Sequence, residues 1–321
     1  MSDNLNNCII VGTGEIAKEY CRVLKELDVR HIVVGRDVKK AKIFGRENEV
    51  NAVGGGIEEF LRNTKCSFTN AIVATDILSL CTVTCELIKA GVKNILVEKP
   101  AGINRKEIDK IAHLADIKAS NVFVAYNRRF YASTDKVLEY VKKDGGVKSF
   151  CFEFTEWSNT IECLDTDIRI KEAWFLANST HVVDLAFFIG GEPQVMNCYN
   201  KGSLNWHKRG CIYSGAGITE RDAIFSYHAN WAAPGRWSVE ILTDKHRLYL
   251  KPMEKLAVQE LNSVQVVPVE INDELDQKFK PGFYKEVESF IKGYEDGKKK
   301  TIHDQLRYMD YYEKIEKQDR L

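Results

Sequence analysis

The sequence predicts an α/β chain in two parts. Residues 1–123 read as a doubly wound parallel sheet, and residues 124–321 as an α+β domain on a large, mostly antiparallel sheet, closed by helices within 282–318. Three observations predict this. Strand-like and helix-like segments alternate through residue 123, and the strands are continuous apolar runs, as strands buried on both faces require. The first strand meets its helix through Gly12-x-Gly14-x-x-Ala17. Beyond residue 123 the strands switch to period-two alternation, the mark of a sheet with one covered face. A length of 321 residues agrees with two domains.

The elements follow in order. "NCIIVG" is the first strand; residues 14–27 then set Ile16, Tyr20, Val23, Leu24 and Leu27 on one helical face. "HIVVG" is a strand, "VKKAKIFGRE" a short helix and "NAIVAT" a strand. Residues 77–90 form an apolar helix that Gly91 terminates. "NILVEKP" is a strand, "NRKEIDKIAHLADIK" a helix with Ile108, Ile111, Ala112 and Ala115 in phase, and "NVFVAY" closes the series. After the helix "STDKVLEYVKKDG" come the strands "KSFCFEFTEW", "RGCIYSGAGI", "AIFSYHANWA", "WSVEILT", "HRLYLKP", "KLAVQEL" and "SVQVVPVE", interrupted by a helix around His181. Helices at 282–296 and about 301–318 end the chain.

Charge excludes several functions. Lys+Arg and Asp+Glu both number 46, so no net field steers the chain to nucleic acid or to an anionic membrane. The run Lys298–Lys300 follows Gly297 and reads as a solvated loop. The polar start MSDNLNN has no apolar core of a signal peptide, and no apolar run reaches membrane-spanning length. Nine scattered cysteines, mostly in apolar runs, read as buried thiols of a cytoplasmic protein. Cys81 and Cys85 are too few ligands for zinc, and no metal is expected.

The glycine spacing carries the first chemistry. Gly12 permits a tight turn, Gly14 lets the backbone approach a pyrophosphate, and Ala17 lets the helix pack close to the strand. Thr13, Glu15 and Ile16 complete this cradle at the helix N-terminus, where amides and the dipole favour an anion. NAD is ordinarily recognised by an acid at the end of the second strand. Here Gly35 stands at that place and Arg36 follows, which favours the 2′-phosphate of NADP(H), with NAD(H) the alternative. Asp37 is either a ribose-binding acid or the cap of the helix starting at Val38.

In a doubly wound sheet the ligand lies beyond the carboxyl ends of the strands. Ala74, Thr75 and Asp76 follow one strand, Glu98 and Lys99 another, and Asn127 a third. All are therefore candidate cofactor contacts. Lys99–Pro100 is a candidate cis peptide bond that would fix the turn carrying the lysine.

These residues resemble the glucose-fructose oxidoreductase / inositol dehydrogenase / rhizopine-catabolism (Gfo/Idh/MocA) family. The resemblance rests on "VGTGEIA", "AGVKNILVEKP", "YNRRF", "HVVDLAFFIGG" and "KPGFYKEVESFI" in that order, and covers nearly the whole chain. It implies a Rossmann domain, a second domain with a large open sheet that commonly mediates oligomers, and hydride transfer between NAD(P) and a sugar, cyclitol or nucleotide-sugar carbon. It also implies roles: Lys99 as the E-K-P lysine contacting nicotinamide and substrate oxygen, His181 as acid/base on the reacting hydroxyl, and Asp184 as the acid one turn later. The chain departs from the family pattern in three places. Ala177 stands where D-x-G-x-H has its aspartate and Ser179 where it has glycine; "DILSL" replaces the usual P-N and histidine; and the acid after the second strand is missing.

The expected activity is therefore NAD(P)-dependent oxidation or reduction at a carbinol or keto carbon of a sugar or nucleotide-sugar, with surface-glycan biosynthesis as a setting. Hydride departure needs a group near neutrality on the hydroxyl, and the imidazole of His181 suits. Lys99 suits as the charge that stabilises an alkoxide, and the reverse assignment stays open. Arg128, Trp174, Asn178, Trp206 and Arg236 are candidate substrate contacts; Trp231, Trp237 and His207 add aromatic and polar faces nearby in sequence. A homo-oligomer, dimer or tetramer, is expected through the second sheet. The competing reading is a non-catalytic dinucleotide sensor on the same fold. Reduction of a non-sugar double bond, as in biliverdin reductase, is a third, which no motif here selects.

Overall fold

The computed structural model describes residues 7–64 and 68–317. Cys66 and position 318 of the expected last helix lie outside the described residues. The chain divides into two units, Met1–Asn127 with Leu275–Arg307 and Arg128–Glu274 with Tyr308–Leu321.

The first unit begins with β1 (Asn7–Val11), α1 (Glu15–Glu26), β2 (Arg30–Val34), α2 (Val38–Glu47), β3 (Asn51–Val53), α3 (Ile57–Asn63), β4 (Asn70–Val73), α4 (Leu80–Lys89), β5 (Asn94–Glu98), α5 (Arg105–Lys118) and β6 (Asn121–Ala125). All these strands pair in parallel. β4 is buried at every position, which is why it reads as an unbroken apolar run. α1 buries Ala17, Tyr20, Val23 and Leu24, the face set by its periodicity. Asp37 caps α2 by accepting the Lys40 amide at 2.8 Å. Two elements were not foreseen. β3 is a three-residue edge strand and α3 a seven-residue helix, both too short to show a period.

The second unit contains α6 (Ala132–Lys143), β7 (Ser149–Glu153), α7 (Ser158–Glu162), α8 (Ile168–Glu172), a π-helical turn (Phe175–Ser179), α9 (Thr180–Gly190), β8 (Pro193–Lys201), β9 (Ile212–Thr219), β10 (Ile224–Asn230), β11 (Ser238–Leu242), β12 (His246–Leu250), β13 (Ala257–Glu260) and β14 (Val266–Pro268). Its eight-stranded sheet runs β14-β13-β12-β11-β7-β10-β9-β8, antiparallel except for β7 beside β10. Alternation on β9 and β10 leaves one face buried and one exposed. α9 covers the buried face: Phe187 meets Phe150, Phe152 and Phe225 edge-on. A Cβ on Gly190 would sit 2.2 Å from the Phe150 ring, so only glycine allows the helix so close. β8 was missed in the sequence because it opens on Pro193 and carries few β-branched residues.

The chain continues through α10 (Glu274–Lys278), α11 (Phe283–Lys292), β15 (Lys300–Thr301) and α12 (Ile302–Glu316). Here the structure departs from the expected boundary at residue 123, which kept the C-terminal helices with the second domain. Residues 275–307 group with the first unit. The reason is apolar: Phe279, Phe283, Val287 and Phe290 join Tyr20, Val23 and Leu24 in one core. β15 also extends the first sheet, pairing antiparallel with β6 in the order β15-β6-β5-β4-β1-β2-β3.

Candidate active site

In the first unit, register sets the geometry. Val11, Val34, Val73, Val97 and Val124 stand in one row across β1, β2, β4, β5 and β6. The residues that follow them, Gly12, Gly35, Ala74, Glu98 and Ala125, therefore lie side by side at the carboxyl edge, with Lys99 one residue beyond Glu98. The chain winds outward from β1 in both directions, so β1 and β4 flank the switch point where such sheets bind ligands. β5 is two strand spacings from β1, about 10 Å.

The cradle glycines separate by function. A Cβ on Gly12, which has φ of 131°, would lie 2.1 Å from the Ala74 carbonyl oxygen, so this residue must be glycine for the sheet to close. A Cβ on Gly14 would meet nothing within 4 Å; Gly14 is extended and precedes α1 directly. That open face, beside the unsatisfied amides of a helix start, fits a pyrophosphate. Thr13 turns its methyl toward Gly35, Ile16 packs on the core and Glu15 is exposed.

At the end of β2, Arg36 is 85% exposed and 3.6 Å from Asp76. Asp37 does not extend this edge, since its carboxylate caps α2. Thr75 donates to the Asp76 carbonyl at 3.3 Å, and Asp76 accepts from Ser79 at 2.8 Å. Glu98 accepts the buried Tyr20 hydroxyl at 2.7 Å, which anchors the end of β5 to α1. Lys99 is half-buried, the Lys99–Pro100 bond is cis, and the turn closes through Ala101 N–H to the Glu98 carbonyl at 3.0 Å. Gln305 holds the Pro100 carbonyl from behind at 3.2 Å. Asn127, expected to face the cofactor, is buried and gives its amide to the Pro281 carbonyl at 2.9 Å. It ties the strand end to the returning chain.

The second unit gathers its candidates around His181, the second residue of α9, which is 6% exposed. The Trp237 ring lies 6.1 Å from the imidazole. Arg128 and Arg236 both stack on Trp237, at 4.8 and 4.4 Å, and Arg236 also covers Trp157 at 4.6 Å. Burial pushes the Arg128 guanidinium below its usual range, and the like charge of Arg236 adds to this. Asn178 and Ser179, on the π-helical turn, donate to Glu156.

Two expectations are revised here. Asp184, implied as the acid one turn after His181, is engaged by Arg129: both its oxygens accept from the guanidinium at 2.7 Å, in a bidentate pair buried on both sides. Trp206 is 4% exposed, stacks on Trp231 at 5.7 Å and donates to Ser158, so it is core and not a sugar platform. Trp174 meets it edge-on and is half-buried. Asn178 turns to Glu156, whose only signal in the sequence is a second acid ending the run "FCFEFTE".

Among the described residues, no helix is long and apolar enough to cross a membrane, and no three His, Cys, Asp or Glu are placed to hold a metal. The described cysteines are free thiols, most of them buried.

Comparison with known proteins agrees with this architecture. Residues 6–126 match the family model GFO_IDH_MocA, the oxidoreductase family with an NAD-binding Rossmann fold. The chain is 24% identical over 204 residues to the myo-inositol 2-dehydrogenase of Thermotoga maritima, covering 61% of this chain and 58% of that one. Among solved structures, a levoglucosan dehydrogenase in complex with NADH superposes with a TM-score of 0.78 at 15% identity, covering 96% of this chain and 95% of that one. The UDP-N-acetylglucosamine 3-dehydrogenase of Acidithiobacillus ferrooxidans gives 0.72 at 11% identity, covering 97% and 96%. An oxidoreductase from Agrobacterium radiobacter, in complex with NAD+, L-tartaric acid and magnesium, gives 0.76 at 14%, covering 96% and 94%. At these identities the likeness is one of fold. The glycine cradle and the in-register carboxyl edge lie within residues 6–126, the stretch that matches the Gfo/Idh/MocA oxidoreductase model.

Proposed function

We propose that the chain is a nicotinamide-dependent oxidoreductase acting on the carbinol or keto carbon of a sugar or nucleotide-sugar. The observation that carries the reading is the carboxyl edge of the first sheet, where the open face of Gly14 and the turn bearing Lys99 belong to the same ligand-binding side. NADP(H) is the proposed cofactor, with NAD(H) second: Asp37 is engaged as a helix cap while Arg36 is exposed at the strand end.

Bound nicotinamide would accept or donate the hydride. Lys99 holds a positive charge against the substrate oxygen as it becomes an alkoxide. His181 takes the hydroxyl proton, or returns one to a carbonyl. Arg236, its side chain 44% exposed, offers a cation to a polyol. The sensor reading is favoured by the absence of an acid at Ala177; the Glu156 carboxylate beside Asn178 and Ser179 brings an acid to that turn from elsewhere in the chain. The proposal includes a homo-oligomer through the exposed face of the second sheet, where Val195, Ile218 and Ile224 align across β8, β9 and β10 at 54%, 39% and 60% exposure.

The test is turnover of NADP+ and NAD+ with a panel of sugars, cyclitols and nucleotide-sugars, for the native chain and Lys99→Ala. The expected result is activity on a member of the panel and a loss of about 10²–10⁴-fold in kcat for the variant, with cofactor still bound. Full activity in Lys99→Ala removes the lysine from the chemistry. Cofactor binding without turnover on any alcohol favours the sensor.

A further inference from the structure

The second unit contains a buried carboxylate that packing alone does not require. Glu156 lies just past β7 with its side chain 1% exposed. It accepts the Ser179 hydroxyl at 2.7 Å and the Asn178 amide at 3.2 Å to each oxygen, and it faces Arg236 at 3.5 Å. A carboxylate removed from water this far is costly even when hydrogen-bonded. Its partners are not scattered. Asn178 and Ser179 belong to the π-helical turn that runs directly into His181, and π-helical turns are rare and concentrate at functional sites. Arg236 stacks on Trp237, whose ring lies against His181. Two short connections therefore lead from one carboxylate to one imidazole, by the chain 178–181 and by Arg236 and Trp237. Position 177 is alanine, so the turn has no acid of its own there.

We infer that Glu156 is the positioning residue of His181: its negative charge fixes the π-helical turn and biases the imidazole toward its protonated form. This rests on the reading of His181 as acid/base. Arg236 and, across Trp237, Arg128 oppose the bias, whereas Asp184 is balanced by Arg129. Burial pushes the Glu156 carboxyl above its usual range, while Ser179, Arg236 and Asn178 pull it back. The bias on His181 therefore strengthens as Glu156 ionises.

The test reads His181 directly, by NMR titration of the imidazole in the full chain, with its resonance assigned by its disappearance in His181→Asn. Glu156→Gln keeps the shape and removes the charge, while turning one acceptor oxygen into a donor; it is expected to lower the His181 pKa by about half a unit or more. Glu156→Asp withdraws the carboxylate by one methylene and is expected to give a smaller shift of the same sign. Thermal melts establish that each variant is folded, and the kcat–pH profile of an active preparation should move its His181 limb by the same amount. An unchanged His181 titration in whichever of the two variants folds overturns the inference, because a purely structural Glu156 would change the melt and leave the imidazole alone. The titration needs no turnover, so absence of activity on every sugar would count against the proposed function without touching this result.

Discussion

The carboxyl edge of the first sheet and the histidine cluster of the second unit are built in opposite ways. At the edge, the candidate residues lie at or within a few positions of the end of a strand, and parallel register then lines the strand ends up. In the cluster, Arg128, Glu156, Trp237 and the segment carrying Asn178 and His181 are distant in sequence and meet only through packing. The edge residues that remain exposed, such as Arg36, are held by backbone geometry and contribute little to stability. The cluster residues hold one another, so each serves the site and the fold together. A site written in local backbone can change its ligand cheaply; a site written in side-chain contacts cannot.

The largest test of that contrast is the buried pair. Asp184→Ala leaves the Arg129 guanidinium buried without its bidentate partner, and a loss of about 3–5 kcal/mol is expected from urea unfolding. Asp184→Leu combined with Arg129→Met should recover much of that loss, because no uncompensated charge remains. A double variant as unstable as Asp184→Ala would mean that the pair is not what costs. The matching substitution at the edge, Arg36→Ala, should shift stability by less than about 0.5 kcal/mol.

A smaller effect sharpens the same point away from the site. Burial pushes Glu316 from 4.5 up to about 7 and His207 from 6.5 down to about 4, and the two face each other at 3.8 Å. The stability Glu316 contributes is complete below its ordinary value and is lost as pH rises toward 7. His207 contributes above 6.5 and loses that contribution as pH falls toward 4. Between these limits the two slopes oppose. Glu316→Gln removes one of them, so unfolding free energy measured from pH 6.5 to 4.5 should fall on acidification by about 1 kcal/mol more than in the native chain. Parallel pH curves for the two would show that these buried groups do not titrate against each other.

How much of this was legible follows from the same contrast. The glycine spacing, the apolar strands and the lysine at the end of β5 are local patterns, and each reads from its own few residues. The Asp37 ambiguity was local too, and its carboxylate is found capping α2 through the Lys40 amide. What escaped were relations across the chain. Glu156 lies 22 residues from Asn178, Asn127 lies 154 from Pro281, and Arg129 lies 55 from Asp184. Helical periodicity says that Asp184 shares a face with His181, but not which partner that face meets. The grouping of residues 275–307 with the first unit is hidden for the same reason: amphipathicity shows that α11 buries a face, while only packing shows that the face closes on α1.

The central claim is that the carboxyl edge of the first sheet is a dinucleotide site read by Arg36. Fluorescence titration of NADPH and NADH, against the native chain and Arg36→Ala, tests it most directly. The account predicts saturable binding of NADPH by the native chain, weakened about tenfold or more in Arg36→Ala, with NADH affected less than about threefold. Equal loss for both cofactors would contradict the role of Arg36, and binding of neither by the native chain would contradict the site itself.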